Sequence, residues 1–524
     1  MQKIGNFIVR TVDYIFFGLM VLILISAVLS LSQTIFSGWL QFCAIGATAI
    51  LLALFVIFGN KIILFFKNTL SWICSISVIK MFIIIFITTA LTKIFFVFLL
   101  NPDATKHPDM ATYQSFAYQL AESGKITESV FSAFMWKYEV IYGLFLSPVV
   151  KLFGEDTKVM LTYLSVLFAL LSVLLFDIIR PHVGKNKAFA AIMLFNIFPV
   201  GLFETQLLIH ETALLFFYIV SFWLLLKALD CKFNIALRVL ALLLSALLIA
   251  FGNKINQGGT VVIISYCIYI FIFFCKEKHI SFKKIIELFV AVACYLLCFV
   301  LVSNMCVAFV NNTVVLNESE RQKIEQIQRN SIPFGWGLYL GANTEQFGIW
   351  NQDDAQTYYH YQDIEDEQEA KQYQIELIDS RMQMFKNNPA RIPYQLFKKI
   401  QGLWGSPLLT LNYGLGNSVN DFILTGAHGI IYKLIWGISQ IGYILLCALI
   451  IFSHKRHKKG VVDKFYSPVT QFKMMIIGLT FVLILFEVMP KYVSHMQIIL
   501  VCIGAFCLND FSINTNKKLF LKED

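Results

Sequence analysis

Long apolar runs recur along the chain, and each is long enough to cross a lipid bilayer as a helix. A spanning helix needs about 20 mainly apolar residues, since the hydrocarbon layer is about 30 Å thick. The alternating pattern of a transmembrane barrel is not seen. The pattern predicts an all-α polytopic membrane protein with about twelve transmembrane helices. We place them approximately at 15–32, 39–58, 76–100, 158–179, 188–203, 209–229, 235–252, 260–275, 285–310, 430–452, 470–488 and 493–509.

The composition agrees with this architecture. Of the 524 residues, 58% are hydrophobic and only 14% are charged. The mean hydropathy is +0.69, so the chain has more apolar surface than a soluble fold of this length can bury. The first span resembles a signal peptide, but no small-residue cleavage site follows it, and we expect it in the mature protein.

The net charge of +9 does not indicate nucleic-acid binding, because the basic residues collect in alternate loops. Loops rich in Lys and Arg stay on the cytoplasmic side of a membrane. The short loops 33–38 and 204–208 contain neither residue. We therefore expect a cell-membrane protein with both termini in the cytoplasm and segments 101–157 and 311–429 outside. The basic loops contain Arg180, Lys185 and Lys187; Lys227, Lys232 and Arg238; Lys276, Lys278, Lys283 and Lys284; and Lys455, Arg456, Lys458, Lys459 and Lys464.

Four parts follow from this layout. They are two N-terminal transmembrane helices (1–75), a membrane module with an external loop at 101–157 (76–310), an external domain (311–429), and three C-terminal helices with a cytoplasmic tail (430–524). We expect residues 137–154 to form a juxtamembrane helix. The external domain is predicted to be small and mainly helical, with a Gly-rich middle, and to lie on the membrane through Trp336, Trp350 and Trp404.

The cysteines and the common enzyme motifs exclude several kinds of chemistry. All eleven cysteines lie in or beside spans, so neither external segment has a disulfide framework. No CxxC pair, phosphate-binding loop, dinucleotide fingerprint or HExxH motif is present.

The sharpest local signal lies in the first external segment, in HPDMATYQSFAYQLAESGK. The spacing predicts a helix with Tyr113, Ala117 and Leu120 on one face. Gly124 is placed to end this helix, and Asp109 lies near its N-terminus. A carboxylate there is stabilised by the helix dipole, so the local pattern by itself favours a structural role for Asp109.

The wider order of motifs resembles the GT-C glycosyltransferases of the protein mannosyltransferase and aminoarabinose transferase kind. DxxxYxxxAxxLxxxG lies after an early span, and a juxtamembrane run ending in Phe153-Gly154 follows it. An acid then begins a later span in LLIHETALLFF, and EVMPKYVSH resembles the family's Glu-x-x-x-Arg-Tyr element, with Lys491 in place of Arg. The resemblance is close over roughly 76–310 and loose elsewhere.

The resemblance implies glycosyl transfer from a polyprenyl-phosphate sugar to an envelope lipid, polysaccharide or protein outside the bilayer. A phosphate leaving group needs no general acid, so a single carboxylate suffices to take the acceptor proton, and we assign that role to Asp109. The lipid phosphate needs cationic partners, for which Lys254 and Lys491 are candidates. The other predicted substrate-binding residues are Tyr113, His210, Glu211, Lys93, Glu487 and Tyr492.

Each of these residues has a simpler structural explanation. Lys254 and Lys491 could snorkel to the interface, and Lys93 could either snorkel or line the lipid-phosphate cavity. His210 with Glu211, and Glu487 with Lys491, could be local pairs. No cofactor is predicted with certainty. The need for a divalent metal stays open, since Asp109 and Glu211 are the only ligands suggested.

Two other functions fit part of the pattern. A lipid or glycan transporter would need a polar path, yet several spans contain almost no ionisable groups, and no internal repeat is found. A ligase or polymerase of the O-antigen kind also has a large late loop with arginines. Arg321, Arg329, Arg381 and Arg391 are available for that function here.

Overall fold

The computed structural model describes residues 2–34, 50, 75–230, 233–275, 281–332, 335–349, 351–406, 430–454, 467–489 and 491–507. These residues are almost entirely helical, and an isolated parallel bridge joins Ile126 and Val314. The predicted all-α class is therefore confirmed for the described chain.

The helices are numbered here in chain order. They are α1 (Gln2–Thr34), α2 (Val78–Leu100), α3 (Pro108–Glu122), α4 (Val130–Met135), α5 (Lys137–Phe153), α6 (Thr157–Val183), α7 (Lys185–Ile197), α8 (Pro199–Phe203), α9 (His210–Leu229), α10 (Ile235–Ile255), α11 (Gly259–Phe274), α12 (Phe282–Thr313), α13 (Glu318–Asn330), α14 (Gly335–Gly341), α15 (Gln352–Asp363), α16 (Glu367–Asn387), α17 (Arg391–Trp404), α18 (Ile430–His454) and α19 (Pro468–Leu485). The last, α20, is the apolar helix Lys491–Cys507, with a short turn after Ser494.

Eight helices of the described chain are long and apolar enough to cross a membrane. They account for eight of the twelve predicted spans, and they make the chain a polytopic membrane protein. The predicted spans 260–275 and 493–509 correspond to shorter apolar helices, and 39–58 lies outside the described residues. The eight are Gln2–Ser30, Val78–Leu100, Thr157–Val183, His210–Leu229, Ile235–Ile255, Phe282–Thr313, Ile435–Ser453 and Pro468–Leu485.

The predicted span 188–203 is not one helix. It consists of α7 and α8, with a break at Phe198, whose backbone is extended. The cause is Pro199, because a residue before proline is disfavoured in the helical conformation, whereas proline itself fits the first turn of a new helix.

Small and polar residues let the central helices pack closely. Gly252 of α10 lies against Phe217 of α9, where a Cβ would come within 2.8 Å of the phenylalanine Cβ. One helical turn deeper, the Ser221 hydroxyl donates to the carbonyl of Ser245, and Ser245 Oγ lies 2.6 Å from the Tyr295 hydroxyl. This contact joins α9, α10 and α12 without leaving a polar group unpaired.

The 101–157 segment forms a compact layer in which α3 packs on α5. Gly143 makes the contact close, since a Cβ there would lie 2.8 Å from Cβ of Phe116. Helix α5 corresponds to the predicted juxtamembrane helix, and much of it is buried, including Val140 and Tyr142. It is not among the helices apolar enough to cross a membrane.

The 317–406 segment comprises α13 to α17. Asn317 and Glu320 begin it with a reciprocal capping box, which satisfies free backbone N–H groups of the first turn. The predicted placement of Trp404 at the membrane face is wrong, because this side chain is fully buried and donates from Nε1 to Thr480 Oγ1 at 3.0 Å. Trp350 lies outside the described residues.

Candidate active site

Helix α3 has the geometry that its sequence predicts. Tyr113, Ala117 and Leu120 are buried on one face. Gly124 follows the helix end with a φ of +70°, a conformation that favours glycine. Asp109 lies in the first turn, where the helix dipole stabilises its carboxylate.

The carboxylate of Asp109 has a partner from the far end of the sequence. Lys491 Nζ lies 2.8 Å from Asp109 Oδ2, and it donates a hydrogen bond across 382 positions of the chain. The Asp109 side chain is 41% exposed and that of Lys491 is 16% exposed, so the pair lies at the rim of the packed structure. Asp109 is therefore more than a local helix-end carboxylate.

Glu487 does not form the local pair with Lys491 that a structural explanation would require. Its Oε2 instead accepts a hydrogen bond of 3.1 Å from the hydroxyl of Tyr492. Lys491 remains close enough to interact electrostatically with Glu487 and Glu211 as well as with Asp109. One ammonium thus serves several carboxylates.

His210 and Glu211 begin α9 beneath this ion pair, and both are buried. His210 Nδ1 lies 2.8 Å from Glu211 Oε2, and its Nε2 lies 3.2 Å from the side-chain nitrogen of Asn256. The hydroxyl of Tyr142 donates to the carbonyl of Ile209 at 3.0 Å, which fixes the backbone just before the helix.

Aromatic rings surround the imidazole of His210. Tyr138 stacks on it at 5.4 Å with an interplanar angle of 17°. Tyr113 lies 5.6 Å away and also meets Tyr142 edge to face at 5.2 Å. The predicted residue Tyr113 therefore reaches the same cluster as His210, although it is almost fully buried.

Burial raises the pKa of two carboxyl groups beside the site. The pKa of Glu139 is raised to about 8, mainly by burial and then by the nearby Asp109 charge. The Ser132 hydrogen bond and Lys491 act in the opposite direction. Burial also raises the pKa of Glu487, with Lys491 and Tyr492 acting in the opposite direction. The site therefore has more acidic groups than its single lysine can balance.

Two predicted residues lie apart from this cluster. Lys93 is fully buried, donates from Nζ to the carbonyl of Gly201, and lies 4.1 Å from the centre of the Phe168 ring. It therefore does not snorkel to the surface. Lys254 places its Nζ 5.0 Å from the Phe299 ring, and no described ion pair connects it with Asp109, Glu211 or Glu487.

Several residues of the cluster were not predicted from the sequence. Tyr138 and Glu139 belong to α5, which the sequence marks only as a juxtamembrane helix. His495 is buried within electrostatic range of Glu211. The available signal in α5 was the pair Tyr138 and Glu139 at the start of the helix that follows the Asp109 segment.

Within the described part of the chain, no three His, Cys, Asp or Glu side chains form a group that could hold a metal ion.

Comparison with known proteins gives one match. Residues 140–304 match the family model described as dolichyl-phosphate-mannose-protein mannosyltransferase. The matched stretch begins in α5 and ends in α12, so it includes His210 and Glu211 but neither Asp109 nor Lys491. No curated protein and no solved structure matches the chain. The family match confirms the resemblance drawn from the motifs and supports a membrane glycosyltransferase of the GT-C type that uses a lipid-linked sugar.

Proposed function

We propose that this protein transfers a sugar from a polyprenyl-phosphate donor to an acceptor hydroxyl on the outer side of the membrane, with Asp109 as general base. The observation that carries the proposal is the Asp109–Lys491 ion pair at 2.8 Å. It joins a carboxylate suited to accept a proton and a cation suited to bind phosphate, in a partly exposed position.

The transfer balances without a general acid. The acceptor oxygen forms a bond to the anomeric carbon as the bond from that carbon to the phosphate oxygen breaks. The acceptor proton passes to Asp109, and the electron pair of the broken bond stays on the polyprenyl phosphate. That leaving group gains negative charge, which Lys491 can stabilise.

In this proposal Lys491 binds first the Asp109 carboxylate and then the phosphate of the donor. Lys491 donates a hydrogen bond to Asp109 in the structure. The leaving phosphate gains a second negative charge as the bond to the sugar breaks, and that charge would draw the ammonium away from Asp109. The Asp109 carboxylate would then be free to take the proton of the acceptor hydroxyl.

The aromatic and acidic neighbours supply positioning in this proposal. Tyr138 stacks on the buried His210, which pairs with Glu211, and we assign these three side chains to the inner wall of the sugar-binding site. Glu487 and Tyr492 hold the chain next to Lys491. Lys254 lies apart from this cluster and stays a second candidate for binding the donor phosphate.

The outer location rests on the charge bias of the loops. The proposed units are a membrane module at 76–310, an outer domain at 311–429 and flanking helices at 1–75 and 430–524. Of the four arginines on which the ligase alternative depends, Arg381 is already engaged by Asp354 and Tyr339.

Asp109→Asn tests the assignment. We expect the variant to insert and fold normally but to lose transfer of the lipid-linked sugar in isolated membranes by about 10³-fold, because the amide cannot accept the proton. Glu122→Gln, at the other end of α3, is the matched control and should retain activity. Full activity in Asp109→Asn would disprove the proposed base.

A further inference from the structure

The Gly-rich middle of the 317–406 segment lies against the chain that leaves α19. A Cβ on Gly341 would collide with the carbonyl oxygen of Leu485, and one on Gly337 would lie 3.0 Å from Cδ1 of Phe486. Gly341 has no room for a side chain, and at Gly337 the Phe486 ring would have to shift to admit one. This stretch stood out in the sequence without an assigned role, and its close approach to residues 484–488 supplies one.

Gly348 makes the third contact. Its carbonyl accepts a hydrogen bond of 2.8 Å from the backbone N–H of Val488, a residue that is fully buried. Gly348 has a φ of +81°, which side chains of L-residues rarely allow. The backbone of the 317–406 segment is thus bonded directly to the residue after Glu487.

Lys399 of α17 completes the contact from the other side. It is 2% exposed, and its Nζ donates to the carbonyl of Ile484 at 2.6 Å and to that of Phe486 at 2.9 Å. The carbonyls at a helix C-terminus lack partners within the helix, and a positive charge there is favourable. A Cβ on Gly348 would lie 2.8 Å from Cε of Lys399, so the glycine leaves room for the lysine.

We propose that Gly337, Gly341, Gly348 and Lys399 form a seat that holds residues 484–488 and so positions Glu487 and Lys491. Lys399 is a positioning residue in this inference, since it acts through the backbone of the chain it binds. The site that it positions is the one assigned under Proposed function, and the inference rests on that assignment for its catalytic consequence.

Through the seat, the 317–406 segment would position Lys491 for the reaction. Lys491 follows Val488 by three positions, so a displaced seat moves the ammonium relative to Asp109. A misplacement of about 1 Å in a catalytic group can cost about 10²-fold in rate. The segment would therefore set the geometry of the phosphate site from outside the membrane module.

The test uses the full-length protein in membranes and compares three variants. Lys399→Met removes the ammonium that donates to the carbonyls of residues 484 and 486, and Gly348→Ala crowds the Lys399 side chain. Lys398→Met is the matched control on the same helix, since Lys398 Nζ lies 3.3 Å from the Gln401 side-chain oxygen. The first readout is the rate at which a small amine-reactive reagent labels Lys491, measured by peptide mass spectrometry. The second is the KM for a polyprenyl-phosphate sugar.

We expect the reagent to label Lys491 several-fold faster in Lys399→Met and Gly348→Ala than in the unchanged protein. The KM for the sugar donor should rise by about 10-fold in both variants, with a smaller change in kcat. Lys398→Met should match the unchanged protein in both. Unaltered labelling of Lys491 in a folded Lys399→Met protein would overturn the inference. If that variant does not insert, Gly348→Ala, which keeps the lysine, decides the same question.

The labelling readout needs no glycosyl transfer. Faster labelling in the seat variants together with an active Asp109→Asn protein would disprove the proposed base and leave the seat standing. An inactive Asp109→Asn protein with labelling unchanged in the seat variants would disprove the seat and leave the proposed base standing.

Discussion

Lys491 and Lys93 both lie near carboxylates, but they differ in what surrounds the charge. Lys491 is partly exposed and pairs with an acid that is itself 41% exposed. Lys93 is fully buried, bonded to the backbone carbonyl of Gly201, and within electrostatic range of the buried Glu204. A lysine at an open rim can exchange its partner for a phosphate, whereas one held by backbone within the core cannot do so without unpacking the helices.

Lys491→Ala should have the largest effect on activity. We expect transfer to fall by about 10³-fold, because the leaving phosphate loses its cation, while the thermal midpoint in detergent changes little. Initial rates with a polyprenyl-phosphate sugar measure the loss, and Lys151→Ala on the exposed end of α5 is the control. Activity within a few-fold of the unchanged protein would remove Lys491 from the site.

Lys93→Met should act on stability instead. The change leaves Glu204 buried without its nearest positive charge, which we expect to lower the free energy of unfolding by about 3 kcal/mol. The double variant Lys93→Met with Glu204→Gln should recover most of that loss, as measured by thermal unfolding in detergent. An unchanged midpoint with abolished transfer would instead return Lys93 to the lipid-phosphate cavity.

Glu139 offers a finer comparison, through pH. Its pKa is about 8 in the folded protein against 4.5 for a free side chain, so the folded state holds a proton that the unfolded chain releases. The contribution of Glu139 to the free energy of unfolding is fully present below pH 4.5 and is lost as the pH rises to about 8. We expect the thermal midpoint to fall over this range and Glu139→Gln to flatten the decline. An equally steep decline in the variant would assign the effect to other groups.

Lys254→Ala should give the smallest change of the set. Its contact with the Phe299 ring does not require a donor phosphate, so we expect the donor KM to rise by about twofold at most. A rise of the size expected for Lys491 would place both lysines on the same phosphate. Titration of the lipid donor in membranes distinguishes the two outcomes.

The sequence predicted those parts of the structure that depend on local spacing. The helix of Asp109 follows from the four-residue spacing of Tyr113 and Ala117 and from Gly124, and all three lie as expected. The main spans follow from apolar length. The break at Pro199 was available in the sequence but lay within a run that was apolar enough to read as one span.

The candidate site was less predictable because its contacts are not local. The pairing of Lys491 with Asp109 joins residues whose separate patterns indicate only two helix ends. The stacking of Tyr138 on His210 depends on how α5 packs against α9, which periodicity does not specify. The same holds for Trp404, which looks like an interfacial tryptophan in sequence and is buried by α19 in the structure.

The span of 382 positions between Asp109 and Lys491 has a consequence for biosynthesis. Asp109 leaves the ribosome long before its partner, so the nascent protein carries an uncompensated carboxylate through most of translation. Contacts of such large sequence separation form slowly. The proposed site is thus among the last features to form, and we expect a polypeptide that ends before α20 to lack the proposed transfer activity.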